Sequence, residues 1–241
     1  MKQSYINCLK KIRDFRILSK TKKDLKRGKL YFSWLASKTE KIQNEKVEGF
    51  IYKNIIKYTL KNYDISQYIF DKSSEKIKQI ITNNYTLKTN KYIFNNPNIS
   101  IEDTKLLAKY IIYKRGNVVW VDFGFNIGNE FGGMHPAVIL KNFDNELFVI
   151  PISSKKPSEY SKIEQEYINS KISLEECEKQ KRAVNEIIQF DKIFCFKEMT
   201  RWARITRMKK VSMLRLDFLG TIGAVSGQDM NAISNKIRLE F

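Results

Sequence analysis

The sequence predicts an α+β chain: an all-α, strongly basic first part, then a small β-barrel that ends in a helix. Three observations carry this expectation. Through residues 1 to 110 the apolar positions recur at helical spacing, whereas between Gly116 and Ser154 they alternate or run in short blocks bounded by turn residues. Charge divides at the same place: residues 1 to 115 hold 26 Lys/Arg and 10 Asp/Glu, a net of +16, and residues 116 to 241 hold 18 and 16. Several short strands followed by one terminal helix suit a small barrel with a helix packed on it.

Taken in order, Ile6, Leu9, Ile12, Phe15 and Leu18 predict an amphipathic basic helix that ends near Gly28. Lys22, Lys23, Lys26 and Arg27 follow it, as a solvated face or as phosphate contacts. The apolar residues of Tyr31 to Leu60 and of Asn62 to Ile81 fit further helices separated by polar turns. Their aromatics are core residues, with base stacking the alternative. Asn95 to Asn98 reads as a loop, and Ser100-Ile-Glu-Asp103 has the spacing of a helix N-cap. These features divide the chain into a basic helical domain at 1–105 and a barrel domain at 106–241.

The barrel opens with a strand through Val118, Trp120 and Asp122, followed by strands at Ala137 to Leu140 and Leu147 to Ile152. Between the first two lies Gly124-Phe-Asn-Ile-Gly-Asn-Glu-Phe-Gly-Gly-Met-His-Pro136, which carries His135, the one histidine of the chain. Lys155 to Lys181 is polar and is expected to be a mobile connection with a short helix around Leu174 to Lys181. Ala183 to Phe190, Ile193 to Phe196 and Gly220 to Val225 are candidate strands, and Met199 to Lys210 alternates basic and apolar residues. Ser226 with Asp229 starts a closing helix through Met230, Ile233 and Ile237.

These motifs carry a resemblance. The succession of a Trp-Val-Asp-Phe strand, Gly-Asn-Glu-x-Gly-Gly-x-His-Pro, Ala-Val-Ile-Leu and Val-Ile-Pro-Ile-Ser-Ser resembles the MazF/PemK endoribonuclease toxins, with G-D-x-x-W-V-D-F, G-S-E-x-x-G-x-R-P and a strand leading to Thr. It is close from Arg115 to Ser154 and looser to the end of the chain. The resemblance implies an SH3-like barrel of the MazF/PemK/CcdB type and the toxin of a toxin-antitoxin system. It also implies metal-independent cleavage of single-stranded RNA by 2′-hydroxyl attack, leaving 2′,3′-cyclic phosphate and 5′-hydroxyl ends. Where that family has Arg before the proline, this chain has His135, and where it has Thr, this chain has Ser153, with Ser154 the alternative by one register.

His135 is therefore the expected base or acid, since its ordinary pKa of about 6.5 suits both roles. Replacing Arg by His removes a permanent cation, so a neighbouring one is expected: Arg204 as the catalytic cation, with Arg201, Arg207 and Lys155 on RNA. Glu130, Gly132 and Gly133 shape the loop against RNA, with Glu130 either orienting His135 or holding backbone amides. Ser153 and Ser154 lack a second His and a Gly-x-Ser-x-Gly turn, which argues against a hydrolase nucleophile.

Composition bounds the rest. No run of 18 apolar residues and no leader pattern appear, so a cytoplasmic protein without a membrane span is expected. Cys8, Cys177 and Cys195 have neither disulfide-framework nor zinc spacing, and no metal or cofactor site is expected. The excess charge calls for a polyanion: RNA first, then an acidic protein or RNA antitoxin. A homodimer and a role in phage defence also follow the resemblance. A non-catalytic CcdB-like binder is the alternative, and a DNA-binding helical domain fused to a regulatory barrel is a third reading.

Overall fold

The computed structural model describes residues 48–124 and 132–240. The basic helix predicted before Gly28, and Glu130 in the glycine loop, lie outside the described residues.

Helix α1 starts at Glu48–Asn54 and passes through a π-turn at Ile55–Thr59 into Leu60–Asn62. It is followed by β1 (Ile65–Ser66), α2 (Gln67–Asp71), α3 (Glu75–Asn84), β2 (Tyr85–Lys88) and β3 (Lys91–Phe94). Next comes α4 (Ile101–Leu107), prolonged by a π-turn at Ala108–Ile112. The expected helix start is present: the Ser100 hydroxyl accepts from the Asp103 N–H at 3.0 Å.

The expectation of an all-α first part is corrected here. β1, β3 and β2 form a three-stranded antiparallel sheet, so the described portion mixes helix and strand. A two-residue turn drives the pairing: Thr89 (φ 45°) and Asn90 (φ 65°) both sit in the left-handed region while Lys88 faces Lys91. Two positive-φ residues in a two-residue loop match the right-handed twist of the flanking strands.

The second part is a curled antiparallel sheet, a half-barrel, with the strand order β10-β4-β5-β6-β8-β7 and β9 also on β6. Its strands are β4 (Asn117–Asp122), β5 (Met134–Asn142), β6 (Glu146–Ser153), β7 (Ile187–Phe190), β8 (Arg201–Arg204), β9 (Lys209–Ser212) and β10 (Gly223–Ala224). Strand β6 organises the layer. Its first half pairs β9 and its last two residues pair β8, with the 3-10 turn Ile205–Arg207 taking up the change of register. The outer strands approach at one bridge, where Phe194, just past β7, exchanges backbone hydrogen bonds with Ala224 of β10.

Between β6 and β7 the chain forms two helices, α5 (Ser158–Ile168) and α6 (Leu174–Ala183). The expected mobile connection is thus half right: the helix near Leu174 is present, and α5 was not foreseen. Helix α7 (Gly227–Glu240) closes the chain, and its start uses the expected pair, with the Asp229 carboxylate accepting from the Ser226 N–H and hydroxyl.

Two apolar layers hold this together. Val118, Val138, Ile150, Ile188 and Phe190 pack with Ile233 of α7 on one face of the sheet. On the other, Val119, Val121, Ala137, Val149 and Leu216 share one core with Ile55, Leu60, Ile81, Leu107 and Ile112 of the first part. Each such fully buried aliphatic side chain contributes roughly 1.5–3 kcal/mol. Polar contacts seal the junction: Asn117 donates to the carbonyls of Ile111 and Ile112, and Thr59 to that of Phe218.

Candidate active site

Strand pairing places the predicted residues. His135 faces Val121 across β4–β5, and Ser153 faces Trp202 across β6–β8. On β5–β6 the pairing ends with Ala137 facing Pro151, two residues from His135 on one strand and two from Ser153 on the other.

The imidazole is half-buried rather than sealed. Desolvation lowers its pKa below the ordinary 6.5, against a hydrogen bond from the ring to the Gly132 backbone that pulls the other way. His135 is therefore held neutral near pH 7, the form that accepts a proton. Gly133, at φ 80°, bonds back to Gly124 through its N–H and accepts from the Phe123 N–H, which closes the loop neck below the ring.

Ser153 ends β6 with its hydroxyl oxygen accepting from the Lys155 N–H at 3.0 Å, which leaves the O–H to donate elsewhere. Ser154 is exposed one residue on. Beyond them opens a groove of about 730 Å³, lined by Pro151, Ser153, Lys155, Lys156, Lys162, Trp202, Arg204 and Arg207 among others. His135, on the neighbouring strand β5, is not part of that lining.

One wall of the groove is helix α5, and two of its carboxylates hold it in place. Glu159 on α5 accepts from Arg204 at 2.5 Å, and Arg204 also pairs with Glu186. The guanidinium lowers the Glu159 pKa to about 2 and is itself kept firmly charged. Glu164 bridges Lys156 at 2.5 Å and Lys181 at 2.9 Å, and is held below the usual carboxylate range. Tyr160 packs with Ile187 and Trp202, fastening α5 to the sheet by an apolar contact as well.

The arginines separate by role. Arg204 and Arg207 reach the groove, although Arg204 arrives with both its acids. Arg201 does not line it: it is buried, donates to the carbonyls of Lys197 and Met199, and lies 5.4 Å from the centre of the Phe196 ring. Lys155 lines the groove. Lys22, Lys23, Lys26 and Arg27 are outside the described residues.

Lys156, Lys162, Trp202 and the acids Glu159 and Glu164 were not singled out in the sequence. A signal for the helix that carries most of them was present: Tyr160, Ile163, Tyr167 and Ile168 recur at helical spacing. Among the described residues no group of three or more His, Cys, Asp or Glu is arranged to hold a metal ion. No helix among them is long and apolar enough to cross a membrane.

A curled antiparallel sheet with a C-terminal helix on one face, and a cationic groove where two strands end, is the framework of a small toxin domain. The chain belongs to the family of PemK-like, MazF-like toxins of type II toxin-antitoxin systems, whose model matches residues 114–241, just over half of its length. Membership implies a cognate antitoxin. No curated protein matches the chain. Among solved structures, that of MazF (Form-I) from Deinococcus radiodurans is 12% identical, covering 53% of this chain and 96% of that one, with a TM-score of 0.35. At that score the likeness adds nothing to the family assignment.

Proposed function

We propose that the chain is a metal-independent endoribonuclease toxin that cuts single-stranded RNA, giving 2′,3′-cyclic phosphate and 5′-hydroxyl ends. The observation that supports this reading is the pairing of Ala137 with Pro151, which leaves a half-buried His135 of lowered pKa two residues away on β5 and Ser153, on the cationic groove, two residues away on β6. His135 takes the 2′-hydroxyl proton, and the resulting alkoxide attacks the adjacent phosphorus. Ser153 donates to a phosphate oxygen, with Ser154 beside it at the mouth. Protonation of the departing 5′-oxygen completes the step, and the imidazolium formed in the first transfer is the nearest acid.

In this reading Lys155, Lys162 and Arg207 meet the RNA backbone. Arg204 acts through the field of an ion-paired guanidinium and by fixing the groove wall. Gly132 and Gly133 bring backbone close to the strand, and Glu130 supports that loop. The division into 1–105 and 106–241 assigns RNA capture to the basic first domain through Lys22, Lys23, Lys26 and Arg27. Arg201 supports the loop before β8 rather than touching RNA. A homodimer, an acidic antitoxin and action in the cytoplasm complete the proposal.

The test is direct. Purified protein is incubated with a mixed RNA pool in EDTA, beside His135→Ala. Cyclic-phosphate ends from the parent and none from the folded variant support the assignment. Intact RNA that still binds would instead favour a CcdB-like binding protein, for which the pairing of Arg204 with two carboxylates is the supporting feature.

A further inference from the structure

A second cleft, of about 960 Å³, lies between the first part of the chain and the β10 edge of the sheet, and none of its lining residues is shared with the groove at Ser153. Lys114 and Arg115 line it. Lys114 is half-buried, and among the described residues no hydrogen bond or ion pair engages its ammonium. Burial lowers its pKa, and among the described residues no carboxylate opposes that. Arg115 is exposed and held by one nitrogen, which donates to the Ser234 hydroxyl at 2.7 Å. The one carboxylate in the lining, Asp64, already faces Lys91 at 3.8 Å.

Two positive charges are thus left uncovered in a concave site. A half-buried charge without a partner is destabilising, so its place in the fold calls for an anion from outside. We propose that this cleft binds the phosphate monoester of a nucleotide, with Lys114 and Arg115 as its cations. A phosphate monoester carries about −1.5 to −2 near neutrality, which matches two cations, whereas a peptide carboxylate would cover one. The guanidinium fork suits phosphate oxygens in particular. Phe194, half exposed on the same cleft, offers a ring face to a base. The volume lies within the roughly 300–1,000 Å³ of small-molecule sites. Helix α7 also begins here, but Asp229 already occupies its first turn, so the site rests on the two side chains.

A free mononucleotide and the 5′-phosphate end of a strand share this chemistry. Calorimetry on the full chain compares AMP, inorganic phosphate, and DNA tetramers bearing either a 5′-phosphate or a 5′-hydroxyl; DNA lacks the 2′-hydroxyl that the proposed reaction needs. Alkylation of Cys195, exposed on the cleft, gives a second readout. The expected result is binding of AMP that weakens at least tenfold in both Lys114→Met and Arg115→Met, with Cys195 protected by AMP in the parent. Tetramer binding that depends on the 5′-phosphate and on Lys114 assigns the site to strand ends as well; its absence confines it to free nucleotides.

Equal AMP affinity in the parent and both variants would overturn the proposal. So would protection of Cys195 by an acidic peptide and not by AMP. Lys114→Met leaves RNA cleavage unchanged and His135→Ala leaves AMP binding unchanged, so the failure of one site is distinct from the failure of the other.

Discussion

The two clefts differ in how their most enclosed cations are partnered. At the groove beside Ser153, Arg204 is spent on Glu159 and Glu186, and Lys156 and Lys181 converge on Glu164. At the second cleft, Lys114 has burial and, among the described residues, no counter-charge. Partly buried pairs of the first kind hold a helix against a sheet; an isolated cation of the second kind is a liability until something binds it. The number of basic residues around a cavity therefore says less about its ligand than how many already have partners.

That contrast breaks most visibly at His135. His135→Ala is expected to lower kcat for RNA cleavage by about 10²–10⁴-fold, the range of general acid–base catalysis, with the fold retained by circular dichroism. The pH profile sharpens the point. Desolvation lowers the imidazole pKa, so the neutral base is fully present above pH 6.5, and activity is lost only as pH falls through the lowered value. Activity lost instead as pH rises through this range would show that the charged form does the work. Stability follows the same sign: the folded state binds this proton less readily than the unfolded chain, so the contribution is present above about pH 6.5 and declines below it.

Gly223 tests the floor of the second cleft. A Cβ there would meet the Phe196 ring at 2.6 Å and the Phe194 carbonyl oxygen at 2.7 Å, at the bridge that joins the outer strands. Gly223→Ala is expected to destabilise by about 1–3 kcal/mol, as overpacking does, read as a lower urea midpoint. AMP binding should weaken with it, because Lys114 and Arg115 precede the strand that pairs β10. Arg204→Met comes next, at about 2 kcal/mol, because it leaves two carboxylates without their charged donor. If Arg204 mainly holds the wall, Arg204→Lys restores the urea midpoint and the cleavage rate together. If it touches phosphate, kcat falls in the lysine variant while the midpoint recovers.

Much of this was legible from residues, and what was not has identifiable physical reasons. The three central strands and both capped helices announced themselves, because period-2 alternation and the Ser100–Asp103 and Ser226–Asp229 pairs are local signals. The β2–β3 hairpin did not, since Thr89-Asn90 adopts positive φ without the glycine that usually marks such a turn. Arg204 read as a free catalytic cation because its acids stand 18 and 45 positions away in sequence. His135 and Ser153 were singled out by likeness, and the pairing of β5 with β6 that places their strands side by side is supplied only by folding. Lys114 gave no signal: being unpaired is a property of its surroundings, and only folding supplies them.

The smallest expected effect sharpens the comparison furthest. Lys155 and Lys162 line the first groove, and neither takes part in the ion pairs that fasten its wall. On the reasoning applied to Lys114, these two should meet the polyanion. For single-stranded nucleic acid each neutralised phosphate contributes about 0.7 to the slope of log affinity against log salt. Lys155→Ala with Lys162→Ala should therefore flatten the slope by about 1.4 in the cleavage-deficient background, while Lys156→Ala, whose charge is committed to Glu164, should change the urea midpoint more than the slope. Equal slope changes from all three would mean that paired and unpaired lysines meet RNA alike, and the rule drawn from the two clefts would fail at the site where it matters most.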